Sequence, residues 1–273
     1  MIDNLRFVFF TNEYNIHLIE LTLKYFFKYN NLENIKVSVI SNNYKNYDNL
    51  PFKDKVEYLS GNINFKSNGG HFSESLKNVL PDIKEDYIFF FCDDYFFTSN
   101  TKFDDLNKLM TFIVEEEVDY FGFDDIAGSE IYGFKPYEKD NFPFGKENLY
   151  YRDNNYRYLY SVQPTIWKKD SLLELANKFE FSLHELDETL PHIQHNNTFK
   201  CFSNNLSSHS NYIELSDYFI IKYIEVIRHG AFYHSDNGFH LDQNFPVVKF
   251  INQLIQEENL KNKPEYKKIM HNL

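Results

Sequence analysis

The chain is short of glycine, cysteine, alanine and basic residues, and each shortage excludes something. Its 273 residues include 9 Gly, 2 Cys, 3 Ala and 1 Trp. So few glycines leave no G-x-G-x-x-G, which disfavours a dinucleotide-binding turn. Gly128 and Gly133 have the separation of a phosphate-binding P-loop, but Phe134-Lys135 follow where Lys-Ser/Thr is needed. His184-Glu185-Leu186-Asp187-Glu188 opens like a zinc-protease helix and lacks the second histidine. There is no G-x-S-x-G nucleophile elbow. Cys92 and Cys201 alone build neither a disulfide framework nor a zinc centre, and Cys92, inside an apolar run, reads as a reduced, buried thiol. With 28 Lys+Arg against 40 Asp+Glu, the net charge of −12 argues against nonspecific nucleic-acid binding, which needs a basic face to displace counterions. No apolar stretch approaches the ~20 residues that span a bilayer. Met1-Ile2-Asp3-Asn4 does not open a charged-then-apolar leader. These features predict a soluble, cytoplasmic protein.

What is abundant is aromatic: 29 Phe and 21 Tyr beside the single Trp. At 42% hydrophobic and 25% charged, the chain is too apolar for intrinsic disorder and long enough for one large domain. Arg6 to Thr11 reads as a strand, then Ile16, Ile19, Leu23, Phe26 and Phe27 recur at helical spacing. Ile35 to Ser41 and Val56 to Leu59 read as strands, and Phe72 to Leu80 as a helix that Pro81 ends. Asp86-Tyr-Ile-Phe-Phe-Phe-Cys-Asp-Asp94 holds six apolar or aromatic residues bounded by acids, the pattern of a strand buried on both faces. A helix over Phe103 to Ile113 and a strand over Val118 to Phe123 follow. Such alternation predicts an α/β layered domain with a largely parallel sheet. From about 127 to 157 the periodicity fades into a loop region, and Arg157 to Gln163 reads as a returning strand. Ser171 to Phe179 and Leu183 to Leu190 read as helices, the second with a capping box of Ser182 and Glu185. Tyr212 to Phe232 is mixed. An amphipathic helix starts at Pro246 and leads into a Lys-rich tail. The expected organisation is one domain over 1–245, in halves of about 1–125 and 126–245, with a helical extension over 246–273.

Two adjacent carboxylates at the end of a buried strand need an explanation. Ligands of open α/β sheets bind beyond the carboxyl ends of strands, where Asp93 and Asp94 fall. Paired anions repel unless a cation neutralises them. A hard ion such as Mg²⁺ or Mn²⁺ prefers one or two carboxylates plus substrate phosphate oxygens, which also lets an acidic protein bind an anionic diphosphate. The competing structural reading has Asp93 capping the following turn and Asp94 paired with a lysine.

Ile88-Phe-Phe-Phe-Cys-Asp-Asp-Tyr-Phe-Phe97 resembles the strand-plus-acid motif of GT-A fold glycosyltransferases. The resemblance is nearest to bacterial and large-virus enzymes of surface-glycan synthesis, with four segments in the same order. Thr11-Asn12-Glu13-Tyr14 resembles their nucleotide-proximal loop, Phe72-Ser73 their Trp-Ser helix start, and Asp93-Asp94-Tyr95-Phe96 their acidic motif. Ser161-Val162-Gln163-Pro164-Thr165-Ile166-Trp167 resembles their Ser-Leu-Gln-Pro-x-x-Trp segment, the most specific of the four. There are two departures: His184-Glu185-Leu186-Asp187 stands for Trp-Glu-x-Glu, and Gly230-Ala231-Phe232 stands for Gly-Lys-Trp. The first keeps both carboxylates and the second loses the lysine.

The resemblance implies a GT-A-like (Rossmann-like) mixed, mostly parallel sheet flanked by helices. It implies an inverting, metal-assisted transfer from a nucleotide-diphosphate sugar to a glycan or lipid-linked acceptor. Mn²⁺ or Mg²⁺ would sit at Asp94 and Asp93. Thr11, Asn12, Glu13 and Ser73 would meet the nucleotide or its phosphates, helix capping being the alternative at each. Gln163, Trp167 and Tyr95 would shape the sugar or acceptor pocket, with a core position the alternative for Trp167. Asp187, with Glu185 second, would be the base. The two diverge by about 200° on a helix, so only one can aim at the site. Arg228 or His229 would replace the missing lysine at the diphosphate, while His229, His234 and His240 otherwise read as solvated loop histidines. The tail lysines Lys261, Lys263, Lys267 and Lys268, beside Glu257, Glu258 and Glu265, are a weak signal for peripheral binding at the inner face of a membrane. The competing function is a catalytically inactive, glycan-binding or scaffold protein with the same fold.

Overall fold

A computed structural model of the chain describes residues 2–11, 16–30, 35–41, 52–61, 71–123, 134–137, 139–152, 159–160, 164–188, 199–204, 207–209, 220–225, 227–228, 231–232 and 246–266. The first four strands are β1 (Leu5–Thr11), β2 (Lys36–Ser41), β3 (Val56–Ser60) and β4 (Tyr87–Cys92). Every residue of β1 and β4 is buried, which is why their sequences are continuous apolar runs rather than alternating ones. Then come β5 (Tyr95–Phe97), β6 (Tyr120–Gly122), β7 (Phe134–Pro136), β8 (Leu149–Arg152), β9 (Thr165–Lys168) and β10 (Cys201–Asn204). Short strands β11 (Ser207–His209), β12 (Ile221–Glu225), β13 (Ile227–Arg228) and β14 (Ala231–Phe232) follow.

Among the described residues nine strands form one sheet in the order β3-β2-β1-β4-β9-β6-β10-β8-β7. The pairs β3-β2, β2-β1, β1-β4 and β6-β10 are parallel, while β9 runs antiparallel to both β4 and β6 and β8 to both β10 and β7. Seven strands therefore share one direction and only β9 and β8 oppose it, giving the expected mixed, mostly parallel sheet. A second sheet, β11-β12-β5, stands beyond the acidic turn at the end of β4.

Helices cover both faces: α1 (Ile16–Tyr29), α2 (His71–Val79), α3 (Phe103–Glu115), α4 (Lys169–Lys178), α5 (Leu183–Glu188) and α6 (Pro246–Glu257). Strand alternation sends Phe7, Phe9, Phe89 and Phe91 to one face, where Phe26 of α1 meets Phe7 and Phe9 at 5.4 and 5.2 Å. Phe10 and Phe90 point to the other face and meet Phe72 of α2 at 4.7 and 5.7 Å. The outer side of α1 is covered as well. Leu18, Leu21 and Tyr25 join Phe96, Ile251, Leu254 and Tyr266 in a second buried cluster, so α6 and the turns after it fold back onto α1. Tyr266 Oη donates to the His17 carbonyl at 2.7 Å, and Lys24 Nζ pairs with Glu258 at 2.7 Å.

The region from 127 to 157 departs from its reading as a loop, since β7 and β8 form there at the outer edge of the sheet. Both are short, and Lys135 and Pro136 of β7 are exposed, so neither carries an apolar run to announce it. Of the strand expected at Arg157 to Gln163, residues 157–158 and 161–163 lie outside the described set; a strand is described just after it, at Thr165–Lys168. Both cysteines are buried thiols outside any disulfide, and burial pushes Cys201 well above an ordinary thiol pKa.

Candidate functional site

The strand order reverses at β1. From it the chain builds outward through β2 and β3 on one side and then places β4 on the other. The crevice beyond the carboxyl ends of β1 and β4 is thus the topological switch point, the default ligand site of an open α/β sheet. Asp93 and Asp94 occupy a tight turn there, between the last residue of β4 and the first of β5.

The pairing of β1 with β4 ends at Phe10 opposite Cys92, so Thr11 and Asp93 form the next rung. Neighbours on a rung of parallel strands point to the same face, and Thr11 Oγ1 donates to Asp93 Oδ2 at 2.6 Å. From α1, Thr22 Oγ1 donates to the main-chain carbonyl of Asp93 at 2.5 Å. Asp93 is 8% exposed, Thr11 1% and Thr22 0%, whereas Asp94 is only half-buried. The two acids therefore differ: Asp93 is held inside and Asp94 is the more open of the two.

Thr11 is the one nucleotide-loop candidate whose side chain is described, and its hydroxyl is turned to Asp93. Asn12 and Glu13 lie outside the described residues. Ser73, fully buried, accepts from the Phe181 amide at 3.0 Å, while its own amide donates to the Phe181 carbonyl at 3.1 Å. It ties α2 to the residues ahead of α5. Trp167 is 1% exposed, edge-on to Tyr120 at 4.7 Å and 5.0 Å from Tyr160. On β9 it stands between Ile88 and Tyr120, so the core position is the one it takes. Tyr95 is likewise buried, on β5. Gln163 and His229 lie outside the described residues.

Glu185 forms the capping box read from the sequence. Its carboxylate accepts from the Ser182 amide at 2.7 Å, and its amide donates to Ser182 Oγ at 3.2 Å. The Ser182 amide and hydroxyl hold this carboxyl below its ordinary pKa. Asp187 lies two residues on in the same helix, α5. Arg228 lies on β13 directly across from Ala231 of β14.

As a metal centre, the rim offers two carboxylates. Among the described residues no group of three or more His, Cys, Asp and Glu side chains assembles a closed site. An all-oxygen pair fits a hard divalent ion that completes its shell with phosphate and water, and does not fit a structural zinc. Thr22 escaped the sequence reading. Its only signal was a polar residue on the inward stripe of α1, three after Ile19 and four before Phe26.

No family model and no curated protein matches the chain. Among solved structures it is similar to S. aureus TarS 1–349 in complex with UDP, at 14% identity and a TM-score of 0.44 over 81% of this chain and 60% of that one. The same fragment with UDP-GlcNAc matches at 16% and 0.47, over 96% and 69%. A cytidylyltransferase from Leptospira borgpetersenii matches at 12% and 0.45, over 94% and 95%. This chain thus spans about 60% of the length of the first of these. At such values the likeness bears on neither function nor mechanism.

Proposed function

We propose that this chain is a glycosyltransferase that moves a sugar from a nucleotide-diphosphate donor to a hydroxyl of a glycan or lipid-linked acceptor. The transfer is assisted by Mn²⁺ or Mg²⁺ and inverts the anomeric carbon. The supporting observation is the acidic turn Asp93-Asp94 at the switch point between β1 and β4, one acid buried and oriented, the other half-buried. Asp94 and Asp93 would hold the ion, which when bound supplies Lewis-acid stabilisation of the leaving diphosphate.

The chain's own residues do the rest. A base takes the acceptor hydroxyl proton as that oxygen bonds to the anomeric carbon and the bond to the diphosphate breaks. Asp187 is the base in this reading, because Glu185 is engaged at the start of α5. Arg228, across from the position where the resembled family carries lysine, takes the diphosphate contact. Asn12, Glu13 and Gln163 complete the nucleotide and sugar contacts, with His229 beside the phosphates. The work is polysaccharide synthesis on the cytoplasmic side, at the inner face of a membrane. No helix among the described residues is long and apolar enough to cross one.

Melting the protein with UDP, GDP or CDP, with and without Mn²⁺, tests this reading. At a hundredfold excess over Kd one nucleotide with Mn²⁺ raises Tm by about 5 °C or more, and Asp94→Ala abolishes the rise. No shift with any nucleotide would overturn it. A second reading, a catalytically silent glycan-binding module, draws on Ala231 standing where the resembled family has lysine. It expects glycan binding without transfer, unchanged by Asp187→Ala.

A further inference from the structure

We infer that Thr11 and Thr22 are positioning residues for the acidic turn: two buried hydroxyls, one from β1 and one from α1, that fix the carboxyl and the carbonyl of Asp93 and so present Asp93 and Asp94 to a divalent cation. This rests on the reading of that rim as a metal-assisted donor site.

Free of contacts, an aspartate after a strand end has two side-chain torsions and a mobile peptide plane. The bond from Thr11 Oγ1 to Asp93 Oδ2 sets the plane of the carboxylate. The bond from Thr22 Oγ1 to the Asp93 carbonyl sets the peptide between the two acids, and with it the direction in which the Asp94 side chain leaves the turn. Both donors are rigid. Threonine is β-branched with a restricted χ1, Thr11 is the last residue of a fully buried strand, and Thr22 lies inside a helix packed on both sides.

This assigns Thr11 a different task from the nucleotide contact expected of it, and the two tasks predict different losses. Groups that orient metal ligands cost about 10–100-fold in metal affinity when removed. Manganese is titrated into wild type, T11V, T11S and T22V, with Mn²⁺ alone and with Mn²⁺ plus UDP, and free Mn²⁺ is read by electron paramagnetic resonance. The expected result is a loss of about 10–100-fold in Mn²⁺ affinity for T11V and T22V. T11S, which restores the hydroxyl, stays within about threefold of wild type. A merely structural role would not give that rescue at equal Tm. Should T11V fail to give a cooperative melt, T22V, acting through the carbonyl, carries the same expectation. Wild-type affinity in T11V and T22V overturns the positioning role while leaving the donor-site reading intact. T11V that loses UDP but keeps Mn²⁺ returns Thr11 to the nucleotide. No Mn²⁺ binding by wild type under either condition overturns both.

Discussion

The two ends of the central sheet carry buried acids, and the bonds described at each are of different kinds. At the lower rim, where β1, β2, β3 and β4 begin, Glu85 is 2% exposed and receives Arg6 Nε and Lys36 Nζ, each at 2.6 Å. Arg6 also bonds Ser38 Oγ at 2.9 Å and pairs with Glu57. Burial alone would raise the Glu85 pKa, but the two cations bring it down to about 2. Further along the same rim Glu116 meets Lys139 and Lys200 and is also held at about 2, first by the Lys139 hydrogen bond. At the upper rim the described bonds of Asp93 come from threonine hydroxyls. An acid neutralised by cations is a finished structural element. The bonds described at Asp93 instead fix the direction of its carboxyl and its carbonyl.

That contrast can be broken by exchanging the outcomes of two substitutions. Glu85→Gln leaves Arg6 and Lys36 without their shared carboxylate and costs about 3–5 kcal/mol of unfolding free energy, read by denaturant titration. Because Glu85 is at the far end of the strands, the nucleotide-dependent rise in Tm persists in that variant. Asp94→Ala does the reverse. A lower-rim variant that abolishes the nucleotide response would erase the distinction between the two ends.

Acid sharpens it. A carboxyl held at about 2 in the folded chain, against an ordinary value of 4.5, stabilises the fold fully above about pH 4.5. That contribution is lost as pH falls through about 2, and for Glu85 it amounts to about 3 kcal/mol. Stability measured from pH 6 to pH 2 should fall steeply, and Glu85→Gln should flatten the fall.

The smallest expected effect is a gain. Glu117, at the lower rim where α3 turns into β6, has φ 52°, and Val118 N closes onto the Ile113 carbonyl at 2.9 Å. That is the left-handed helix-ending position glycine fills most cheaply. Glu117→Gly should stabilise by about 0.5–1 kcal/mol in the same titration without altering nucleotide binding.

Much of the left half of the sheet was legible because its signals are local. Tyr87 to Cys92 is apolar enough to be a strand covered on both faces whatever surrounds it, and Ser182 with Glu185 closes a capping box within one helical turn. The right half was less so. β8 pairs with β10, far along the chain, and β7 is held only through β8; both are short, and their mixed residues carry little period of their own. Trp167 stood in the most family-like segment, yet what it touches was set by the strands on either side of β9. Thr22 looked like an ordinary polar residue in an amphipathic helix. Only the docking of α1 against the end of β4 placed its hydroxyl on Asp93.

By itself, the order of residues determined the alternation of strands and helices, the buried central strands and the position of two aspartates at a strand end, because burial pattern and turn chemistry act over a few residues. The tertiary structure alone decided that β1 and β4 lie side by side in a register bringing Thr11 to Asp93, and that the Glu85 carboxylate at the opposite rim is closed by cations. Both depend on contacts between distant segments, 82 residues apart for Thr11–Asp93 and 79 and 49 for the Arg6 and Lys36 bonds to Glu85. No local preference encodes such a contact; it forms only when the whole apolar surface is buried at once.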